Sequence, residues 1–199
     1  MTEREKENVE IESDEAVVAR VLSGDEDRFG VLVGRYRTRL HSHVTKMIGN
    51  REDALDLTQE IFLKVFQALP RFNPEYRFST WLFRIAANAA IDHLRRKRPK
   101  TVPLEIPDPE AQGRVSSGEY STSELDPFGM LRNVERGRAI SQAIADLPLE
   151  FRELIALRHF AGLSYEEIAE VKEMPLGTVK NKLFRARAVL KERLAGELS

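Results

Sequence analysis

Apolar residues recur along most of this chain three and four positions apart, the period of a helix with one buried face. From Asp25 the series Phe29, Leu32, Val33, Tyr36, Leu40, Val44 and Ile48 keeps to one face until "GN" at 49 and 50, which predicts a long amphipathic helix. "REDALDLTQEIFLKVFQALP" follows, with Ala54, Leu57, Ile61, Val65 and Leu69 on one side and a stop at Pro70. Ahead of these two, Ser13 or Asp14 is the expected cap of a short helix that runs through Leu22. Beyond the polar, aromatic loop "RFNPEYRF", Ser79 or Thr80 is the expected cap of "WLFRIAANAAIDHLRRK". Four such helices predict a bundle over residues 14–98. No period-2 run of β-branched residues bounded by turn signals occurs, so the predicted class is all-α.

The pattern lapses at 99–126. Residues 99–127 hold five of the nine prolines, with Gly, Ser and acidic groups and few large apolar residues, so they cannot build a core and are expected to form a flexible acidic linker. Helical spacing resumes after Asp126-Pro127 with Ile140, Ala143, Ile144 and Leu147. "LEFRELIALRHFAG" is read as one helix ending at Gly162, and "LSYEEIAEV" places Ser164 and Glu167 at capping-box spacing. A break containing Met174-Pro175 leads into "GTVKNKLFRARAVLKERL", whose seam is Val179, Leu183, Ala186 and Leu190. Residues 127–199 are therefore expected to be a second, smaller helical domain.

Charge sharpens this outline. The chain of 199 residues carries 31 basic and 32 acidic groups, a net charge of -1, so any nucleic-acid binding must come from segregated rather than average charge. Residues 1–15 hold seven carboxylates against two basic groups, and 1–13 are expected to be a disordered acidic tail. "RRKRPK" at 95–100 precedes a linker with six carboxylates and Arg114 alone as its cation between 101 and 126. An acidic start and no apolar run near the roughly 20 residues of a membrane span predict a cytoplasmic protein. Without cysteine there is no disulfide and no thiolate zinc site.

A capped helix of about two turns, a short turn, then a longer helix with an apolar inner seam and a polar outer face is the helix-turn-helix pattern, whose second helix fits the major groove. The outer face holds Lys180, Asn181, Phe184, Arg185 and Arg187, with Thr178 near the start to meet a phosphate. Arginine bonds two acceptors on guanine, asparagine bonds adenine in the same forked way, and an aromatic edge suits a thymine methyl. Charges on an outer face also serve simply to keep a helix soluble.

"DALDLTQEIFLKVFQAL", "FSTWLFRIAANAAIDHLRR" and "LPLEFRELIALRHFAGLSYEEIAEVKEMPLGTVKNKLFRAR", in this order and with an acidic linker before the last, resemble a bacterial extracytoplasmic-function sigma factor over about residues 14–98 and 127–196. The resemblance implies a promoter-specificity subunit with no catalytic activity and no cofactor, partnered by core RNA polymerase, promoter DNA and an anti-sigma factor. Residues 14–98 would bind polymerase and the -10 element, and 127–199 the -35 element.

The same resemblance implies roles for particular residues. Asp56, Gln59 and Glu60, at i, i+3 and i+4 on the side away from Leu57 and Ile61, would grip a coiled coil of the polymerase's largest subunit; a solvated face is the alternative. Asn88 would capture a base flipped from the non-template strand, with Arg77 and Phe78 shaping the pocket; the other reading has Asn88 bridge helices inside the bundle. Trp81 is expected in the core. Arg95 and Arg96, with Lys97 and Arg98, would follow phosphates beyond the pocket, although a basic helix end also suits the macrodipole. The linker would thread basic channels of the polymerase or serve as a tether; at about 3.3 Å per residue it reaches on the order of 90 Å. Contacts to the -35 element would fall to Arg158, Thr178, Lys180, Asn181, Phe184, Arg185 and Arg187. The commonest pattern has arginine then serine where Lys180 and Asn181 stand, which changes the expected base preference.

Two rival classes are weaker. A stand-alone helix-turn-helix regulator would bind duplex DNA unaided, usually as a symmetric dimer, and no dimerisation helix is evident. An enzyme would rely on "HSH" at 41–43 or on Asp92-His93. His41 and His43 stand at i and i+2 of a helix, about 200° apart, and cannot share a metal. No nucleophile, phosphate loop or carboxylate constellation accompanies the second pair, so no metal site is expected.

Overall fold

The computed structural model describes residues 12–97, 137 and 139–197, and among these no strand occurs. The expected tail and acidic linker lie outside the described residues. In the first half α1 spans Asp14–Leu22, α2 Phe29–Ile48 after a 3₁₀ lead-in at Glu26–Arg28, α3 Arg51–Ala68 and α4 Phe78–Lys97. In the second half a helix at 139–145, α5, precedes α6 (Leu149–Ile155), a π-helical turn (Ala156–Phe160), α7 (Tyr165–Lys172) and α8 (Leu176–Glu197).

Local signals set most of these ends. Ser13 accepts from the Ala16 amide at 3.1 Å and starts α1. Asn50 accepts from the amides of Glu52 and Asp53 and starts α3 one residue after Gly49 ends α2 in the left-handed conformation. The α-helical part of α3 stops at Ala68, and Pro70 lies inside a 3₁₀ turn, Leu69–Arg71. The cap expected at Ser79 or Thr80 is not used. Helix α4 starts at Phe78, both hydroxyl residues fall in its first turn, and the Phe78 amide donates to the Glu15 carboxylate of α1 at 3.3 Å. A carboxylate brought by tertiary contact thus meets the positive end of α4.

The first core is built largely from the predicted stripes, although Phe29, Val33 and Ile48 are only half-buried and His43 and Met47 join it. Leu32, Leu40, Val44, Ala54, Leu57, Ile61, Val65 and Leu69 are all buried, and Phe72, Phe78 and Trp81 pack ring against ring with centroids 5.2–5.9 Å apart. In the second half Ala143, Ile144, Leu147, Ile168, Val179, Leu183 and Ala186 are buried, whereas Ile140, expected on the same seam, is exposed. Glu153 is buried and held by Lys172, whose ammonium lies 2.6 Å from both carboxylate oxygens.

The halves pack on one another through arginines that meet helix C-terminal carbonyls, the groups a helix leaves without partners. Arg39 of α2 donates Nε to the Ala161 carbonyl at 2.8 Å, and Nη2 to the same oxygen. Arg152 of α6 donates to the Met47 carbonyl at the end of α2, at 3.2 Å. Arg84 of α4 donates to the Glu170 carbonyl at 2.8 Å. Lys46 adds a bond to Ser141 at 2.5 Å and lies over the Phe160 ring.

Candidate nucleic-acid interface

The helix-turn-helix is built from α7 and α8. Ser164 accepts from the Glu167 amide at 3.1 Å while the Glu167 carboxylate accepts from the Ser164 amide at 2.7 Å, so the capping box is complete. Glu173 takes a left-handed conformation, φ 51°, at the end of α7, and the turn through Pro175 starts α8. Val179, Leu183 and Ala186 are fully buried and Leu190 partly so. Because that seam is sealed, Lys180, Asn181, Phe184, Arg185 and Arg187 lie together on the exposed side, with Thr178 half-buried near the start. Phe184 is 43% exposed, an aromatic edge left in water beside cations.

Arg158 stands differently from the rest of its expected set. It lies on the π-turn, donates to the Leu163 carbonyl at 2.8 Å and stacks on the Tyr165 ring at 5.0 Å. Arg187 lies over the same ring at 5.9 Å and donates to the Tyr165 hydroxyl at 3.0 Å. The imidazole of neighbouring His159 is held below its ordinary pKa by burial first and then by Arg187 and Arg158. Glu166 is held below the usual carboxylate range by its own amide and the Ser164 hydroxyl, with help from Lys180 and Arg158.

On α4, Asn88 is exposed, so the structure does not use it as a bridge inside the bundle, and it lies on the same helix as exposed Arg95 and Arg96. Arg95 approaches Asp92 at 4.0 Å and Arg96 donates to the Asp92 carbonyl at 3.3 Å. Arg98 lies outside the described residues. The pocket-shaping role expected of the Phe78 ring needs correction: the ring is 1% exposed and sits in the core against Tyr36, Phe72 and Trp81. A large apolar ring at the start of α4 gains more from that cluster than from water. Trp81 is half-buried and in the cluster, as expected. Arg77 projects with 78% of its side chain exposed and pairs at 3.4 Å with Glu167 of α7.

Asp56, Gln59 and Glu60 are exposed on α3 above buried Leu57 and Ile61, as expected. Sequence reasoning missed their apolar company. Leu55 and Leu63 are 53% and 63% exposed, and Phe29, Val33, Phe62 and Phe66 line an open groove between α2 and α3 that Gln59 borders. The signal was available, since Leu55 and Leu63 are leucines off the buried stripe. Arg39, Arg84 and Tyr165 were missed as well, because their partners are distant in sequence or in a turn that helical spacing does not reveal.

Comparison with known proteins decides the family. Residues 32–100 match the Sigma-70 region 2 family and residues 137–190 the Sigma-70 region 4 family. The chain is 35% identical to the RNA polymerase sigma-H factor of Pseudomonas aeruginosa, over 92% of this chain and 94% of that protein. It is 34% identical to the ECF RNA polymerase sigma-E factor of Haemophilus influenzae, over 92% and 95%. The chain belongs to the extracytoplasmic-function RNA polymerase sigma factors.

As a sigma factor of this group it binds core RNA polymerase and directs promoter-specific initiation, and the stand-alone regulator is set aside because both sigma regions are present in order. Its structure aligns with that of CnrH in complex with the cytosolic domain of CnrY, at TM-score 0.68 and 26% identity, over 92% of this sigma factor and 97% of that chain. The fold is shared with RpoE of Bartonella quintana, solved with the anti-sigma factor NepR, at TM-score 0.61 over 84% and 96% of the two chains, at 23% identity. Among the described residues no helix is long and apolar enough to cross a membrane, and no group of three or more His, Cys, Asp or Glu could hold a metal ion.

Proposed function

We propose that this sigma factor reads the -35 element with the exposed face of α8, namely Lys180, Asn181, Phe184, Arg185 and Arg187, with half-buried Thr178 at its start and with Arg158 set beside Arg187 through Tyr165. The observation that carries the reading is the sealed seam of α8, which leaves these forked and point-charge donors together on one side of a capped helix-turn-helix. Arg77, Asn88, Arg95 and Arg96 serve the -10 element, Asn88 as reader of an extruded base and the arginines toward phosphates. Asp56, Gln59 and Glu60, with the apolar groove beside them, take polymerase. Residues 14–98 and 127–199 are the two modules and 99–126 their strap. The protein works in the cytoplasm as a non-catalytic subunit, under an anti-sigma partner.

Helix α7 lies over the start of α4, where Glu167 pairs with Arg77 and approaches Ser79 at 3.5 Å.

The test is run-off transcription with purified core polymerase and templates randomised at the -35 element. Arg185→Ala costs about 1–3 kcal/mol and relaxes one base position, whereas Thr178→Ala weakens all sequences alike. Equal loss from Arg185→Ala on every template would remove Arg185 from base reading, and no defined start with any template would sink the reading as a whole.

A further inference from the structure

We infer that Tyr165 is a positioning residue for -35 recognition, acting through the two arginines that share its ring; this rests on the reading that the α8 face meets the -35 element. Three separate elements converge here: Arg158 from the π-turn, Tyr165 from the first position of α7, and Arg187 from the middle of α8. Their guanidinium carbons lie 5.0 and 5.9 Å from the Tyr165 centroid. Two like charges so placed repel, and an aromatic face that attracts both offsets the repulsion.

The hold is directional on both sides. Arg187 Nη2 donates to the Tyr165 hydroxyl at 3.0 Å, and Arg158 Nη1 donates to the Leu163 carbonyl at 2.8 Å, two residues before Tyr165. A free arginine loses about 2 kcal/mol of rotamer freedom when it is fixed. Here the fixing is done before DNA arrives, so less of that cost falls on binding. Tyr165 is itself half-buried, which suits a support more than a contact. Arg158 lies in the π-turn, where the wider winding departs from the α-helical line of α6.

The experiment uses holoenzyme rebuilt from the full chain and core polymerase, with run-off from templates randomised at either promoter element. Tyr165→Leu is expected to lower initiation from the best -35 sequence about tenfold and to flatten the ranking of -35 variants, with the ranking of -10 variants kept. Tyr165→Phe keeps the ring, loses the hydroxyl bond and is expected to fall about threefold. In the Arg158→Ala/Arg187→Ala background, Tyr165→Leu should cost nothing more.

A further loss in that background would mean that the ring touches DNA itself, and an unchanged -35 ranking in Tyr165→Leu would mean a merely structural role; either overturns the inference. If Tyr165→Leu melts early, Tyr165→Phe carries the test: wild-type initiation with an unchanged -35 ranking in that variant would overturn the inference. Should the double arginine variant behave as wild type, there is nothing for Tyr165 to position. Arg185→Ala then tells whether the α8 reading has failed too.

Discussion

His43 is a side chain whose chemistry disagrees with its place. It is fully buried on α2, its ring meets Phe83 edge-on at 5.7 Å, and no hydrogen bond of full geometry reaches either ring nitrogen. Burial pushes its pKa from 6.5 down to about 4, against a weaker upward pull from the Ala156 backbone across the junction of the two halves. The folded state therefore binds fewer protons than the unfolded one once pH drops below 6.5. Stability is fully present above that value and is lost as pH falls toward 4. Between about pH 7.5 and 5 the wild type should lose about 2 kcal/mol more than His43→Leu in urea unfolding. Parallel pH profiles for the two proteins would show that His43 takes up its proton in the fold as readily as in the unfolded chain. At this scale the sequence was only partly informative. It placed His43 and His41 on different faces, which is correct, but gave no sign that one of them is a core residue, because burial by a second domain leaves no mark on the spacing within α2.

Elements were legible wherever the signal was local. Ser164 and Glu167 announced the start of α7, and the apolar seam of α8 gave its inward face, since capping and helical period are properties of a few neighbouring residues. The start of α4 was not, because its cap is Glu15, 63 residues away. The π-turn also escaped: Glu153, Leu154, Ile155, Ala156 and Leu157 are buried in succession, a run too continuous for one face of an α-helix, yet the stretch has the composition of an ordinary one. Helix α7 has eight residues and would be marginal alone, so its capping box matters more than on a long helix. Ser164→Ala is expected to cost about 1 kcal/mol of unfolding free energy and to weaken -35 selection by loosening the base of α8. An unchanged urea midpoint would show that packing on α4 and α8 holds α7 without its cap.

At the scale of the whole molecule the question is what keeps the two halves together, and the magnitudes separate the candidates. The Arg77–Glu167 pair spans 3.4 Å with Arg77 78% exposed, so solvent screens it to about 0–1 kcal/mol. Arg84 makes a similarly open pair with Glu173 at 3.7 Å and donates to the Glu170 carbonyl at 2.8 Å. Arg39 is half-buried, gives two N–H groups to the Ala161 carbonyl, and lies over the rings of Tyr36 and Phe83 at 5.5 and 5.7 Å. Charged hydrogen bonds of that kind are worth about 1.5–3 kcal/mol. Gly162, next in the chain, is in the left-handed conformation at φ 71°, and a Cβ there would come within 3.3 Å of Arg39 Nη2, so the turn is shaped to admit this arginine. Neither the long-range bond nor the fit at Gly162 can be read from helical period, which is why the sequence predicted two bodies but not how they dock. Arg39→Ala should therefore loosen the packed form more than Arg77→Ala. In small-angle scattering of the full chain the radius of gyration should rise for Arg39→Ala and stay near wild type for Arg77→Ala. Equal radii for all three proteins would mean that apolar contact, through His43, Phe83 and Ala156, closes the junction without the arginine.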